Sequence, residues 1–366
     1  MASSLTIRVP GKLMIAGEFA VLEPHHQLSV TAVDRYVYSK IIRTSNHLLT
    51  LDNFGLRDIP WKVSDSGKIT IQTDDSRVNF VQKAMDTTLS FLKEKRIEPH
   101  PFHLRIKSEL DDEHGVKYGL GSSAAVVTSA VAAILYQLSP KDATDETIFK
   151  LASIAHVVMQ GNGSGADVAA SSYGGILKYT SFQAEWLLEA YNKTSSMQEL
   201  LEMDWPCFSI EPVLFPKDMH FCVGWTGNPA STGNLVGQIK QLKTDQPERY
   251  EQFLSDSEKA VATFIQGMHE EKSATLLEGI NKNRFALKTV GDQAKVEVET
   301  PLLSTLCDLA EQYGGAGKPS GAGGGDCGIA FMPSAEKAEA LKTAWKKAGI
   351  MPLDLQPDFK GTTLIK

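Results

Sequence analysis

The stretch that decides the fold is Lys117-Tyr-Gly-Leu-Gly-Ser-Ser-Ala-Ala125, which leads into an apolar run that continues to Leu138. The run predicts a helix over residues 124–138, with the serines at its start. The first N–H groups of a helix have no partner inside it and carry partial positive charge. Glycines let a ligand approach the backbone closely, and serine hydroxyls can cap the helix, bind phosphate oxygen or ligate a metal ion. The stretch is therefore typical of a site for a polyphosphate such as ATP.

Three other interpretations apply to the same residues. A capped core helix would need no ligand. The spacing Gly119-Leu-Gly-Ser-Ser-Ala124 fits a permissive dinucleotide-binding pattern, but the expected strand over residues 102–108 is separated from the glycines by a polar run. A membrane-spanning helix needs about 20 residues, more than 124–138 provide. The P-loop pattern is absent, since Leu13 follows Gly11-Lys12 and Pro319 follows Gly317-Lys318.

The composition limits the classes of protein. A chain of 366 residues, 42% of them hydrophobic, can bury a large core and is expected to form two domains. A net charge of −7 argues against nucleic acid or an anionic membrane as a partner. The four cysteines match no zinc spacing and follow no secretory signal, so we expect reduced thiols and a cytoplasmic location.

Periodicity and turn residues divide the chain into a strand-rich first half and a helix-rich second half. The boundary is expected near residue 205, which gives domains 1–205 and 206–366. The expected strands cover residues 5–10, 13–16, 36–42, 48–51, 68–73, 102–108, 174–179, 221–225 and 328–332. The expected helices cover residues 78–92, 124–138, 148–159, 166–172, 232–243, 248–268, 272–290, 299–313 and 335–347.

A second glycine-rich segment is Lys318-Pro-Ser-Gly-Ala-Gly-Gly-Gly-Asp-Cys-Gly328. Eight of the fifteen residues from 314 to 328 are glycine, and ordering so many glycines is entropically costly. One explanation is a wide turn between a strand and a helix. The other is a backbone that lies against an anion, with Lys318, Ser320 and neighbouring N–H groups around it.

Two further segments hold candidate residues. In Gly161-Asn-Gly-Ser-Gly-Ala-Asp167, the aspartate opens a short helix, where a carboxylate is stabilised even without a function. Lys12 follows Gly11 near the N-terminus, between two expected strands, where a lysine is more often a surface residue than a catalytic one.

The order of these four segments resembles the GHMP kinase superfamily, and the resemblance runs through nearly the whole chain. The detailed sequences of four segments are most similar to the bacterial phosphomevalonate kinase family: residues 11–23, 117–121, 224–226 and 318–330. The resemblance implies an α+β fold of two domains, the first like domain 2 of ribosomal protein S5 and the second ferredoxin-like. It also implies transfer of the ATP γ-phosphate to (R)-5-phosphomevalonate, with Mg²⁺ as cofactor, and no role for nucleic acid or membrane. A monomer and a homodimer are both compatible with the sequence.

The resemblance assigns roles to particular residues. Lys12 and Asp167 become the catalytic pair, with Asp167 either accepting a proton or orienting Lys12, the role we prefer. The expected ATP-binding residues are Gly119, Leu120, Gly121, Ser122, Ser123 and Ala124, with Ser122 or Ser123 as magnesium ligand. The expected substrate-binding residues are Lys117, Ser164, Ser231, Thr232, Lys318, Ser320, Gly321, Gly323 and Gly324.

Two positions depart from related patterns. Mevalonate kinases commonly carry a glutamate ligand of magnesium eleven residues before the catalytic aspartate, where this chain has His156. A neutral imidazole is a poor magnesium ligand, which argues against a mevalonate kinase. Met159 and Gln160 stand where some phosphomevalonate kinases carry an arginine. Mevalonate kinase and other small-alcohol kinases of the superfamily are the nearest alternatives, followed by a non-catalytic ligand sensor and a dinucleotide oxidoreductase.

Overall fold

The computed structural model describes residues 4–64, 68–112, 115–228 and 232–365, without the side chains of Thr232 and Asn234. The strands are β1 (Ser4–Ala16), β2 (Gln27–Arg43), β3 (Leu48–Leu51), β4 (Leu56–Val63), β5 (Ile69–Ile71), β6 (Phe102–Ser108), β7 (Ile176–Thr180), β8 (Ser209–Val213), β9 (His220–Trp225), β10 (Ala316–Pro319), β11 (Cys327–Met332), β12 (Met351–Leu353) and β13 (Thr363–Leu364). The helices are α1 (Asn79–Glu94), α2 (Ser122–Leu138), α3 (Asp145–Gln160), α4 (Ala166–Tyr173), α5 (Ala184–Lys193), α6 (Met197–Glu202), α7 (Thr232–Asp245), α8 (Pro247–His269), α9 (Ser273–Ala294), α10 (Pro301–Gln312) and α11 (Ala335–Lys347).

The first sheet has the strand order β13-β1-β2-β6-β3-β4-β5, and β7 joins it by pairing with both β2 and β8. The predicted strands 5–10 and 13–16 form one strand, β1, whose register against β2 shifts between Pro10 and Gly11. A proline cannot donate to the ladder, so a bulge at this point lets the strand continue through it. The strand therefore continues past Pro10 to Lys12, which is half-buried.

Helix α2 is the central helix of the first sheet's core. Eleven of its residues are buried, and it packs against α1, α3, β1 and β2. A helix that is apolar on all sides is stable only when protein surrounds it. The predicted buried helix after Ala124 is confirmed, and its N-terminus at Ser122 points out of this core.

The second sheet is antiparallel, with the order β10-β11-β9-β12. Helices α10 and α11 pack on it through a separate apolar cluster that includes Leu306, Leu341 and Trp345. Both β8 and the C-terminal β13 pair with the first sheet, so strand pairing assigns residues 209–213 and 363–364 to the first unit. The predicted boundary near residue 205 thus falls just before β8, a strand that still pairs with the first sheet.

Within the described ranges, no helix is both long enough and apolar enough to cross a bilayer.

Candidate active site

The first glycine loop ends in left-handed backbone at the start of α2. Gly119 has φ +82° and Gly121 has φ +77°, conformations that are costly for any residue with a Cβ. Gly121 is the N-cap residue, and neither serine caps the helix with its side chain. Ser122 and Ser123 are instead half-buried in the first turn, while Ala124 is fully buried beneath them. The helix start is thus available to an anion.

Lys12 packs directly against this loop. Its backbone N–H donates to the Leu120 carbonyl at 2.9 Å, and its ammonium donates to the Gly119 carbonyl at 3.1 Å. A Cβ on Gly121 would stand 2.9 Å from the Lys12 Cγ, so only glycine leaves room for the side chain. The lysine is therefore held beside the start of α2.

The second glycine-rich loop meets both β1 and the first loop. Ser320 Oγ donates to the Met14 carbonyl at 2.9 Å, two residues beyond Lys12. At the other end of the loop, the Cys327 thiol donates to the Tyr118 carbonyl at 3.1 Å. Two residues of a strand span about 7 Å. The two glycine loops therefore lie next to each other along β1.

The third glycine-rich loop ends at α4. The Tyr179 hydroxyl donates to the Ser164 carbonyl at 2.5 Å, which fixes the loop against the sheet. Asp167 lies in the first turn of α4, where its Oδ1 accepts from the Val168 N–H at 3.0 Å. The ammonium of Lys12 donates to the Gly119 carbonyl and, among the described residues, forms no ion pair with Asp167.

All three loops line one cleft with a volume of about 1210 Å³. The predicted site residues that it brings together are Lys12, Lys117, Gly119, Leu120, Gly121, Ser122, Ser123, Ser164, Asp167, Ser320, Gly321 and Gly323. Gly324 does not line it. Ser231 falls outside the described residues. Thr232 begins α7, whose Gly233, Val236, Gly237 and Lys240 line the cleft.

Lys318 differs from the expectation that it contacts substrate. Its side chain is fully buried, and its ammonium is bound to Glu18 Oε1 and to the Pro319 carbonyl, both at 2.5 Å. Burial lowers the pKa of Lys318, while the Glu18 carboxylate opposes that shift. Because the side chain is fully buried and its ammonium is already bound, a ligand in the cleft cannot reach Lys318.

His156 occupies the position at which mevalonate kinases commonly have a glutamate. Its Nε2 lies 3.1 Å from Ser123 Oγ, and its ring packs 5.4 Å from that of Phe80. No group of three or more acidic, histidine or cysteine side chains within the described ranges is arranged to hold a metal ion. Magnesium is often held by one or two protein oxygens together with substrate phosphates. Ser122, whose hydroxyl is not bound to His156, fits that mode.

Several residues at the rim of the cleft were not predicted as site residues. Glu23 accepts hydrogen bonds from Lys243 at 2.7 Å and from the Tyr250 hydroxyl at 2.9 Å, which tie the segment after β1 to α7 and α8. Burial raises the pKa of Glu23, but these two bonds outweigh it and leave the pKa below its usual value. The helix predicted over residues 232–243 is confirmed as α7, but nothing in its sequence marked Gly233, Val236, Gly237 and Lys240 as residues that line the cleft.

Comparisons with known proteins agree with this geometry. The family model for the GHMP kinases N terminal domain matches residues 79–175, and the one for the GHMP kinases C terminal matches residues 267–350. A phosphomevalonate kinase from Streptomyces sp. (strain CL190) is 32% identical, over 96% of each chain. The chain belongs to the GHMP kinase family.

Solved structures show which members of the family the chain resembles. The structure of a Listeria innocua protein superposes with a TM-score of 0.93 and 37% identity, over 100% of each chain. The Streptococcus pneumoniae phosphomevalonate kinase in complex with phosphomevalonate and AMPPNP superposes with a TM-score of 0.83 and 29% identity, over 96% of this chain and 99% of that one. The predicted two-domain GHMP kinase fold is confirmed, and within the family the similarity points to the phosphomevalonate kinases.

Proposed function

We propose that the chain transfers the γ-phosphate of ATP to the phosphate of (R)-5-phosphomevalonate, with mevalonate 5-diphosphate and ADP as products. The observation that carries the proposal is the arrangement along β1, where the helix-start loop at Lys12 adjoins the second glycine loop at Met14. The first loop is suited to the ATP phosphates. The second, about two strand residues away, is suited to an anionic acceptor placed for direct transfer.

The acceptor is already prepared for attack. The second pKa of a phosphate monoester is near 6, so its oxygen is largely ionised at neutral pH. The difficulty is then electrostatic, because an anionic acceptor must approach an anionic γ-phosphate. Lys12, held beside the loop by Gly119, and Lys117, exposed at the cleft, supply positive charge. Positioning and charge compensation are the main contributions to such a transfer.

Asp167 has a supporting part in this proposal. It lines the same cleft as Lys12 without an ion pair to it, and its carboxylate is oriented by the N–H of Val168. We assign Asp167 the orientation of Lys12 and of the acceptor when substrates are bound, with proton transfer as the alternative role. Ser164, Ser231 and Thr232 remain candidates for contacts with the acceptor.

ATP is expected to bring Mg²⁺ with it, and the metal would compensate the charge of the nucleotide phosphates. Ser122 would provide the protein's oxygen ligand. Ser123 is less suited because its hydroxyl shares a hydrogen bond with His156. The proposal places the chain in the cytoplasm as a monomer or homodimer.

A coupled ADP-release assay tests the proposal by comparing mevalonate with its 5-phosphate at equal concentrations. We expect turnover with the 5-phosphate and a diphosphate product in the ³¹P spectrum. The Lys12→Met variant is the control for contaminating kinases, since it should lose most of the rate. Turnover of mevalonate alone would favour the mevalonate kinase alternative, and turnover of neither would contradict both.

A further inference from the structure

The buried ion pair between Glu18 and Lys318 connects three segments of the chain. Glu18 follows β1 and is 3% exposed, while Lys318 in β10 is fully buried. The same carboxylate oxygen that binds Lys318 also accepts from the Gly321 N–H at 3.3 Å. One carboxylate thus holds the strand that carries Lys12 and the second glycine loop together.

A third partner completes the cluster. Asn283 of α9 is fully buried, and the amide orientation that satisfies its neighbours has the nitrogen donating to Glu18 Oε2 at 3.0 Å and the oxygen accepting from the Gly17 N–H at 3.2 Å. Both carboxylate oxygens of Glu18 are therefore bound. A buried ion pair is costly unless its hydrogen bonds are satisfied, and replacing it with apolar groups is often neutral or stabilising. A contribution to the stability of the fold therefore does not by itself explain why these three residues are buried together.

Its position suggests another role. Lys318 lies two residues before the segment 320–323 that lines the cleft, and Ser320 is bound to Met14 on β1, the strand that carries Lys12. Nothing else about Lys318 is accessible to a ligand, because its ammonium is bound to Glu18 and to Pro319. Any effect of Lys318 on the reaction must therefore act through the position of the loop or through Glu18, which itself lines the cleft.

We propose that Glu18 and Lys318 are positioning residues that hold loop 320–323 in place for the anionic acceptor. The inference rests on the proposed function, in which the helix start binds ATP and this loop binds the acceptor. Loosening the pair shifts the loop relative to β1 and to Lys12, while the first glycine loop keeps its own contacts. Acceptor affinity therefore depends on the pair more strongly than ATP affinity does.

The test compares Lys318→Met, Glu18→Asp and the wild type in the KM for the acceptor and the KM for ATP. Glu18→Asp keeps the negative charge but shortens the side chain by one methylene, so the carboxylate no longer reaches Lys318 in the same geometry. A displacement of about 1 Å can cost a hundredfold, so we expect the acceptor KM to rise by roughly tenfold to a hundredfold. The KM for ATP should change by less than about twofold, since the first loop contacts Lys12, Asp326 and Cys327, all of which lie outside residues 320–323.

Lys95→Met is the matched control. Lys95 is ion-paired with Asp142, is partly buried and does not line the cleft, so its loss lowers the melting temperature without a change in either KM. An unchanged acceptor KM in folded Lys318→Met, or an equal rise in both KM values, overturns the inference. If Lys318→Met does not fold, Glu18→Asp gives the same comparison. A wild type inactive on the 5-phosphate would instead remove the proposed function.

Discussion

Gly119 lies so close to Asp326 that a Cβ at position 119 would stand 2.6 Å from the Asp326 Cβ. The first glycine loop belongs to the first sheet's unit, whereas Asp326 ends the second glycine loop and its carbonyl accepts from the Thr226 N–H at 2.9 Å. The contact therefore joins the two units at the cleft. The two loops approach so closely here that position 119 in the first loop must be a glycine.

Gly119→Ala should lower kcat/KM for ATP by roughly a hundredfold, because the new methyl group must push the two loops apart. Gly349→Ala is the control, since Gly349 has φ +80° and a methyl group added there would meet no atom within 4 Å. Both variants carry the cost of a left-handed residue, about 1–2 kcal/mol. Steady-state kinetics and thermal melts separate the two effects. Equal losses in both variants would mean that the contact with Asp326 is unimportant.

Ser122→Ala should raise the Mg²⁺ concentration needed for half-maximal rate by roughly tenfold, the lower end of what disturbing a metal's surroundings costs. Ser123→Ala is the comparison, because it removes the hydrogen-bond partner of His156 and leaves the proposed metal ligand in place. The measurements are the Mg²⁺ dependence of the rate and calorimetric binding of MgATP. A larger effect of Ser123→Ala would transfer the ligand role to that residue.

Glu23→Gln should weaken the contact between the segment after β1 and α7. The pKa of Glu23 is lowered in the folded state, so its ionised form contributes stability above the ordinary value of 4.5. That contribution is lost as the pH falls through the lowered pKa. The wild type should therefore be more stable than the variant at pH 7, and the difference should shrink below about pH 4. Urea unfolding between pH 3 and 7 measures this, with Glu336→Gln, an exposed glutamate of α11, as control. A difference independent of pH would exclude the charged contact as its cause.

Much of the fold was predictable because its helices and inner strands carry regular apolar patterns. The strand 102–108 and the helix 335–347 match their predicted bounds to the residue. The strands β4 and β8 were missed because they are largely exposed and contain Pro60 and Pro212. The spacing of apolar residues reveals a strand or helix only when one of its faces is buried. Elements that are largely exposed therefore show little apolar periodicity.

The site was predictable where glycine composition marks a loop, and less so where tertiary contacts decide the outcome. No local pattern distinguishes a lysine that faces a ligand from one that is buried against a carboxylate 300 residues away, as Lys318 is against Glu18. The same holds for Lys12, which the resemblance makes a catalytic pair with Asp167 and whose ammonium is bound to the Gly119 carbonyl. In both cases the partner of the ammonium depends on which acceptor groups the fold brings near it.

Lys117→Met should chiefly raise the KM for the acceptor, because Lys117 would meet a phosphate that is present in both the ground and the transition state. Lys117 is exposed at the cleft and pairs in the backbone with Asp111. Lys107→Met is the control, an exposed lysine of β6 that does not line the cleft. Steady-state kinetics with each substrate varied in turn give the answer. A fall in kcat with an unchanged KM would place Lys117 at the transferring phosphate instead.

Lys12→Met should lower kcat at least as severely as Asp167→Asn. Lys12 carries positive charge beside the start of α2, where negative charge accumulates as the phosphate is transferred. Losing one such electrostatic contact typically costs about a hundred- to a thousandfold in kcat. A general base contributes roughly a hundred- to ten-thousandfold when the reaction needs one, and an acceptor ionised near pH 6 has little need of it. Single-turnover rates, with ATP binding checked by calorimetry, compare the two variants. If Asp167→Asn proves far more damaging while fold and ATP affinity are intact, Asp167 is the essential base and charge compensation by Lys12 is secondary.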